Sequence, residues 1–525
     1  MQEPLGNPIE QVVDGENNAV EFDIAYPLRG DPQRALQQLR EAHGDDILLL
    51  PMSATSSGGG IFQHHEKPGR KVIGLRFDPP PEARIRFASR PELAQVGLEE
   101  IIIDRERSEV CAGAAITLNQ LNRALADELG HSYKVPGADL TSYMYAAVGA
   151  TFMTGGMGPQ RRYFSDSVDE IALFDGERLI SVAGEALAGY AGTYGWSGMV
   201  CALRCSYFRF PENEIAFALP VSSEAPRLAR LLAHLAPYVY LELSPEGVTS
   251  AGAGSDLILG IEHVSCESMQ PLLQAPADNP SRARAAELQQ KCDDAGVDGL
   301  VFINGFSDRG IDEFLIDLAD DADADSLRIA GVDIEFAEVF SDPEEMRAVR
   351  EAVPYAARTQ ASGRRLLYKN HSDANIRLAP EAVADSAERL WQINCDYVER
   401  VKRYFAEEPA VDGQILVYGH LNPYGIDPHN RVTMSADDET EFARCREFLL
   451  QQRARYYREL AGLCADSNAV FVGGEKSADS ELGIYLALDG PQNAPSALYR
   501  RFQQQRETIA RASVLFNWRA LPPYR

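Results

Sequence analysis

The chain has 525 residues, a formal net charge of -28 and a hydrophobic fraction of 45%. This is a globular composition, long enough for two or three domains, and its acidic balance argues against nucleic acid or an anionic membrane as a main partner. Eight cysteines are scattered with no Cys-x-x-Cys, which excludes a disulfide framework and a thiolate set for zinc or iron–sulfur.

The first 30 residues read as a polar, acidic leader, not as a signal peptide. Asp31-Pro32 followed by Leu36, Leu39 and Ala42 predicts a helix over 31–42 that Asp31 can cap. Short apolar strands are expected over 46–50, 72–77 and 101–104, the first running into Pro51-Met52-Ser53-Ala54-Thr55-Ser56-Ser57-Gly58-Gly59-Gly60. Residues 110–114 read as a strand with a turn, and a helix begins near Leu118. Two glycine-punctuated segments follow, 147–158 and 192–200. Glycine permits φ > 0 and lacks the Cβ that would hold a ligand away, so these segments suggest backbone pressed against something large and flat. Neither carries a Gly-Lys-Ser/Thr phosphate loop or a G-x-G-x-x-G dinucleotide motif.

Beyond residue 213 the texture changes. Strands of an antiparallel sheet are predicted over 215–220, 238–243, 257–261 and 300–303, with helices over 225–235, 281–295 and 382–405. The acidic run 317–325 reads as a solvated loop, and 437–463 and 496–512 as charged helices. No apolar run approaches the roughly 20 residues of a membrane span. The expected location is the cytoplasm.

Taken in order, the blocks at 110–125, 136–158, 163–180 and 192–200 resemble the FAD-binding domain of the vanillyl-alcohol oxidase/p-cresol methylhydroxylase flavoproteins. Within that superfamily the chain is most similar to the D-lactate, glycolate and D-2-hydroxyglutarate dehydrogenase branch. The resemblance implies an α+β fold, with a two-subdomain FAD-binding (PCMH-type) domain over 31–213. A cap or substrate domain over 214–463, an antiparallel sheet flanked by helices, would follow, and 464–525 would return to the FAD domain. It also implies non-covalent FAD, since the loop after Pro51 holds neither His nor Cys. The cofactor-binding residues it points to are Pro51, Ser53, Ala54, Thr55, Ser56, Ser57, Pro136, Gly137, Gly149, Thr154, Gly155, Gly156, Gly158, Gly195, Gly198, Val200 and Asn517. In that family the loop after Pro51 wraps the pyrophosphate with backbone N–H groups; here Met52, Ser53 and Ala54 replace its Arg and leading glycines.

The second half matches more loosely. Arg350 and Lys369 fall where the 2-hydroxy acid branch holds the substrate carboxylate, chemistry that suits a guanidinium and an ammonium. Gly419-His420 and His429 resemble a pair of histidines that either bind a divalent metal, zinc or manganese, or orient the substrate hydroxyl. The second histidine is displaced by two residues, and Asp479 stands where the family has a ligand Glu, with Ser480 where it has a basic His. The expected activity is FAD-dependent oxidation of the CH–OH carbon of a 2-hydroxy acid by hydride transfer to flavin N5, with His420 or His429 as base. Oxidation of a phenol or other alcohol, and flavin binding without turnover, are the alternatives. The expected partners are a small-molecule substrate and an electron acceptor that the sequence does not identify, with a homodimer left open.

Overall fold

The computed structural model describes residues 4–12, 20, 22–53, 70–138, 144–156, 164–193, 195–239, 241–320, 332–359, 364–373, 376–377, 383–422, 425–466, 470–471, 504–505, 507–513 and 515–516. The chain divides into two compact units, one of residues 1–158, 162–209 and 475–525, the other of 159–161 and 210–474.

In the first unit, β1 (Ile24–Pro27), β2 (Ile47–Met52) and β3 (Lys71–Arg76) form a parallel sheet in the order β1-β3-β2. Helix α1 (Pro32–His43) enters it with the expected cap: the Asp31 carboxylate accepts from the backbone N–H groups of Gln33 and Arg34. A second sheet has the order β4-β5-β6-β10-β8-β9, built from β4 (Arg84–Phe87), β5 (Glu100–Asp104), β6 (Glu109–Gly113), β8 (Val168–Phe174), β9 (Leu179–Ala183) and β10 (Met199–Ser206). Strand β7 (Tyr133–Lys134) pairs separately with β11 (Phe208–Arg209).

Period-two alternation sorts the second sheet's faces. Ile101, Ile103, Val110, Ala112, Leu173, Val200 and Leu203 pack under α2 (Leu118–Leu129) and α3 (Val148–Thr154), whereas Ile102, Cys111, Ala172 and Ala202 face the opposite side. Thr117 and Gln120 make a capping box that starts α2. The chain's end packs on the first sheet: the Leu49 N–H donates to the Leu515 carbonyl at 2.7 Å, and Phe516 meets Phe174 edge-on.

Among the described residues of the second unit, the main sheet has seven strands in the order β17-β12-β16-β15-β20-β21-β18. They are β12 (Asn213–Val221), β15 (Leu257–Ser265), β16 (Gly299–Ser307), β17 (Glu338–Val339), β18 (Leu366–Asp373), β20 (Asp412–Asn422) and β21 (Gly425–Ala436). Two small pairs, β13 (Leu241–Ser244) with β14 (Gly247–Ser250) and β19 (Ile376–Arg377) with β22 (Val470–Phe471), stand apart. The helices are α4 (Ala225–Val239), α5 (Cys266–Leu273), α6 (Pro280–Ala295), α7 (Ile311–Asp320), α8 (Pro343–Thr359), α9 (Val383–Glu407) and α10 (Glu439–Asp466). Side chains of α5, α6 and α8 pack with Val264, Leu300 and Phe302 on one face of the sheet.

The sequence-based boundaries need two corrections. Tyr238 and Val239 end α4 and do not begin a strand; the strand is Leu241–Ser244. Both residues are buried, and Pro237 sits close enough to the helix end for the last turn to form around it. The acidic run expected as a loop begins inside α7, whose Phe314 and Leu318 are buried.

Candidate functional site

The glycine-rich blocks of the first unit converge around α3. This helix ends at Gly155, whose φ of 67° is the left-handed conformation favoured at the residue after a helix. A Cβ on Gly155 would lie 3.4 Å from the Gly192 Cα, and the Gly192 N–H donates to the Phe152 carbonyl at 3.0 Å. Two backbones from separate blocks therefore run against each other there. A Cβ on Gly195 would lie 3.2 Å from Pro51 Cγ, which joins the fourth block to the end of β2. The Pro136 carbonyl accepts from the Ser167 hydroxyl at 2.5 Å, and Gly137 follows it.

Several of the expected cofactor residues have protein neighbours that account for them. A Cβ on Gly149 would sit 2.6 Å from that of Ala114, so glycine is what lets α3 lie on the turn after β6. A Cβ on Gly198 would meet the Phe174 carbonyl at 2.8 Å, and Val200 pairs with Leu173 inside the sheet. The Thr154 hydroxyl donates to the Ala150 carbonyl within the helix, and the Gly156 N–H donates to the Thr151 carbonyl. Ser53 is different. It follows β2, is 7% exposed, and its hydroxyl has no hydrogen-bond partner among the described residues. A buried hydroxyl left so is costly unless a ligand or water satisfies it. Ala54, Thr55, Ser56, Ser57, Gly158 and Asn517 lie outside the described residues.

The second unit assembles its polar site by strand register. Cross-strand partners share a face. Glu262 on β15 is paired with Phe302 on β16 and His420 on β20, and His420 is paired with Asp427 on β21. One row further, Val264 pairs with Tyr418 and Tyr418 with His429. Arg431 follows two residues beyond His429 on the same face. These polar side chains are buried: Glu262, Asp427 and Arg431 at 0%, His429 at 2%, His420 at 6%. From α8, Arg350 reaches the same face. Its Nη1 donates to Asn304 Oδ1 at 3.3 Å, and its Nε lies 3.5 Å from Glu262 Oε2.

The two imidazoles meet nearly perpendicularly, with ring centroids 4.8 Å apart, and the Tyr418 ring lies 5.4 Å from that of His429. The buried Tyr418 hydroxyl has no hydrogen-bond partner among the described residues. A guanidinium, two imidazoles and a phenol on one face can bind an anion and move a proton. The other face carries His263, which meets Trp391 edge-on at 5.2 Å and bonds the Ser223 hydroxyl at 3.1 Å. Burial pulls its pKa down to about 4, outweighing the opposing pull of Asp298, so it stays neutral.

Of the expected catalytic residues, the structure thus puts His420, His429 and Arg350 on one face. Lys369 is set apart. It pairs with Thr433, six residues along β21 from Asp427, the partner of His420. At about 3.4 Å per residue that separation is roughly 20 Å along the strand. Among the described residues, no group of three or more His, Cys, Asp or Glu could hold a metal ion, and Asp479 lies outside them. Among the described residues, the metal reading therefore has the two histidines without a group of three that could hold a metal ion. Sequence reasoning missed Glu262, Asn304, Asp427 and Arg431. The signal existed: Glu262 and Asn304 interrupt largely apolar strands buried on both faces, and such residues are almost never buried without a specific partner.

No family model and no curated protein sequence matches this chain. Its fold is similar to that of alkyldihydroxyacetonephosphate synthase, solved in two crystal forms. One superposes with a TM-score of 0.57 over 94% of this chain and 76% of that chain, the other with 0.54 over 94% and 77%, both at 11% sequence identity. The likeness shows the fold alone, a mixed α+β architecture of sheets and helices. Among the described residues no helix is long and apolar enough to cross a membrane.

Proposed function

We propose that the protein is an FAD-dependent oxidoreductase that oxidises the CH–OH carbon of a small anionic substrate, a 2-hydroxy acid. The observation that carries this reading is the buried row of Arg350, His420, Tyr418 and His429 on one sheet face. The fold supports the cofactor, and the first unit fits it. Backbone-to-backbone packing at Gly155 and Gly192, the contact of Gly195 with Pro51, and a buried Ser53 hydroxyl with no partner among the described residues suit a flat, polar-tailed group. When bound, FAD supplies the two-electron acceptor.

The chain's own residues do the rest. Glu262 and Asn304 hold the Arg350 guanidinium in one orientation, which recognises a carboxylate more sharply than a mobile cation does. His420 takes the substrate's hydroxyl proton. The Tyr418 hydroxyl donates to the substrate oxygen, and His429 fixes the imidazole and phenol rings against each other. The likeness in fold to alkyldihydroxyacetonephosphate synthase favours a second reading, in which the anion is the phosphate of a dihydroxyacetonephosphate derivative.

The test is an anaerobic titration of the FAD-loaded protein with 2-hydroxy acids, phenols and dihydroxyacetonephosphate derivatives, read by loss of the yellow flavin absorbance. Bleaching by 2-hydroxy acids alone, abolished in His420→Ala with flavin still bound, is the expected result. A protein that retains no FAD sinks the cofactor. A yellow protein that no 2-hydroxy acid bleaches sinks the reaction.

A further inference from the structure

Helices α5 and α6 each bring a cysteine to one corner of the second unit. Cys266 is the first residue of α5; Ser265 caps that helix, its hydroxyl accepting from the Ser268 N–H at 3.3 Å. The Cys266 N–H donates to the Asp298 carbonyl at 2.9 Å. Cys292 lies in the last turn of α6, fully buried, with Sγ 3.4 Å from the Gly299 carbonyl. Gly299 is the strand partner of Ser265, so the β15–β16 register itself delivers the two side chains to the same place. Cys266 packs against the buried cluster that holds Cys292.

The two differ in character. Cys266 is partly exposed; Cys292 is enclosed. The neighbouring Cys292, helped by Gln289, lowers the Cys266 thiol below its ordinary value against the opposing effect of burial, and Cys266 together with burial pushes Cys292 far up. Other described cysteines go the opposite way: burial raises Cys111 and Cys201 to about 12, and Cys395 and Cys445 to about 11.

We propose that Cys266 and Cys292 form a reversible redox site for hydroperoxides, with Cys266 the attacked thiolate and Cys292 the resolving thiol. The Cys266 thiolate attacks the peroxide's terminal oxygen, the O–O bond breaks, and the leaving alkoxide or hydroxide takes up a proton, giving a sulfenic acid at Cys266. Cys292 Sγ then attacks Cys266 Sγ and expels water. Both thiols are oxidised by two electrons in all, and the peroxide is reduced to water and an alcohol, or to two waters. The disulfide clamps α5 to α6. Helix α5 is already tied to β20, where the Ser268 hydroxyl both donates to the Val417 carbonyl and accepts from the Val417 N–H, each at 2.8 Å, next to Tyr418.

The experiment uses the folded full-length chain and hydrogen peroxide, followed by alkylation and peptide mass spectrometry. Limiting N-ethylmaleimide before oxidation labels Cys266 ahead of Cys292. Peroxide removes both from the alkylatable pool and yields a cross-linked peptide pair that dithiothreitol reverses. In Cys292→Ser, or Cys292→Ala if serine impairs folding, peroxide carries Cys266 to sulfenic and sulfinic acid instead; in Cys266→Ser, Cys292 stays reduced. If both thiols remain alkylatable after peroxide, or if Cys292 is labelled before Cys266, the proposal is overturned.

Discussion

The pairing of Arg350 with Glu262 predicts a specific pattern of stability. The two charges are 3.5 Å apart, and both side chains are essentially inaccessible to water, at 1% and 0% exposure. At an effective dielectric of about 20 that separation corresponds to roughly 5 kcal/mol of attraction, and removing one partner of a buried pair typically costs about 3–5 kcal/mol. Arg350→Met keeps the length of the side chain and strips Glu262 of this cation, so a loss of about 4 kcal/mol is expected. Globular proteins unfold with an entropy of about 2.1 cal/mol/K per residue, so roughly 270 residues of the second unit convert that loss to a fall of about 7 °C in Tm. Glu262→Gln should cost a comparable amount, because it leaves a buried guanidinium without its carboxylate. The double variant Glu262→Gln/Arg350→Met should recover more than half of either loss, since no charge of this pair then remains buried. Differential scanning calorimetry of the four proteins completes the cycle. An Arg350→Met protein that melts within about 1 °C of the wild type, or a double variant that loses the sum of the two singles, would refute the pairing as a determinant of stability.

Three further outcomes follow from particular contacts. Gly149→Ala should cost about 1–3 kcal/mol, because its Cβ would stand 2.6 Å from that of Ala114; adding Ala114→Gly should restore part of the lost Tm, and a double variant less stable than Gly149→Ala would contradict the contact. The folded state holds His263 near a pKa of about 4 against an ordinary 6.5, so between those values the unfolded chain binds the extra proton. The resulting stability, on the order of 3 kcal/mol, is present above about pH 6.5 and is lost as pH falls toward 4; His263→Gln should flatten that slope in Tm against pH. Tyr418→Phe removes a buried hydroxyl that has no partner among the described residues, so Tm should stay level or rise by a degree or more while the proposed substrate bleaches the flavin more slowly; unchanged bleaching would take Tyr418 out of the chemistry.

What could be read from the sequence was what is local. The Asp31 cap, the helix from Leu118 and the strands at 47–52 and 100–104 are set by residues within a few positions of one another, and they stand where periodicity and turn chemistry put them. The end of α4 was misread because Tyr238 and Val239 are good strand formers, and only their burial in the tertiary structure keeps them helical. Where Lys369 falls in the sheet is a matter of register: β18 pairs with β21 so that Lys369 meets Thr433, and no local pattern encodes which residues of two distant strands face each other.

The glycines show the same limit from the other side. In sequence Gly149 and Gly155 look alike, both inside a segment that suggests a ligand's bed. In space they answer to different constraints: Gly149 is needed because Ala114 lies on it, and Gly155 because a left-handed residue ends α3 against Gly192. A glycine records that something comes close without recording what. The discriminating residue in the cradle is therefore a polar one, Ser53, whose buried hydroxyl no described protein group satisfies. The same holds for the second unit, where a carboxylate and an amide in doubly covered strands mark the place that α8 meets with Arg350. In a chain with this much glycine and this large a core, buried polar groups carry more information about the site than the motifs that first drew attention to it.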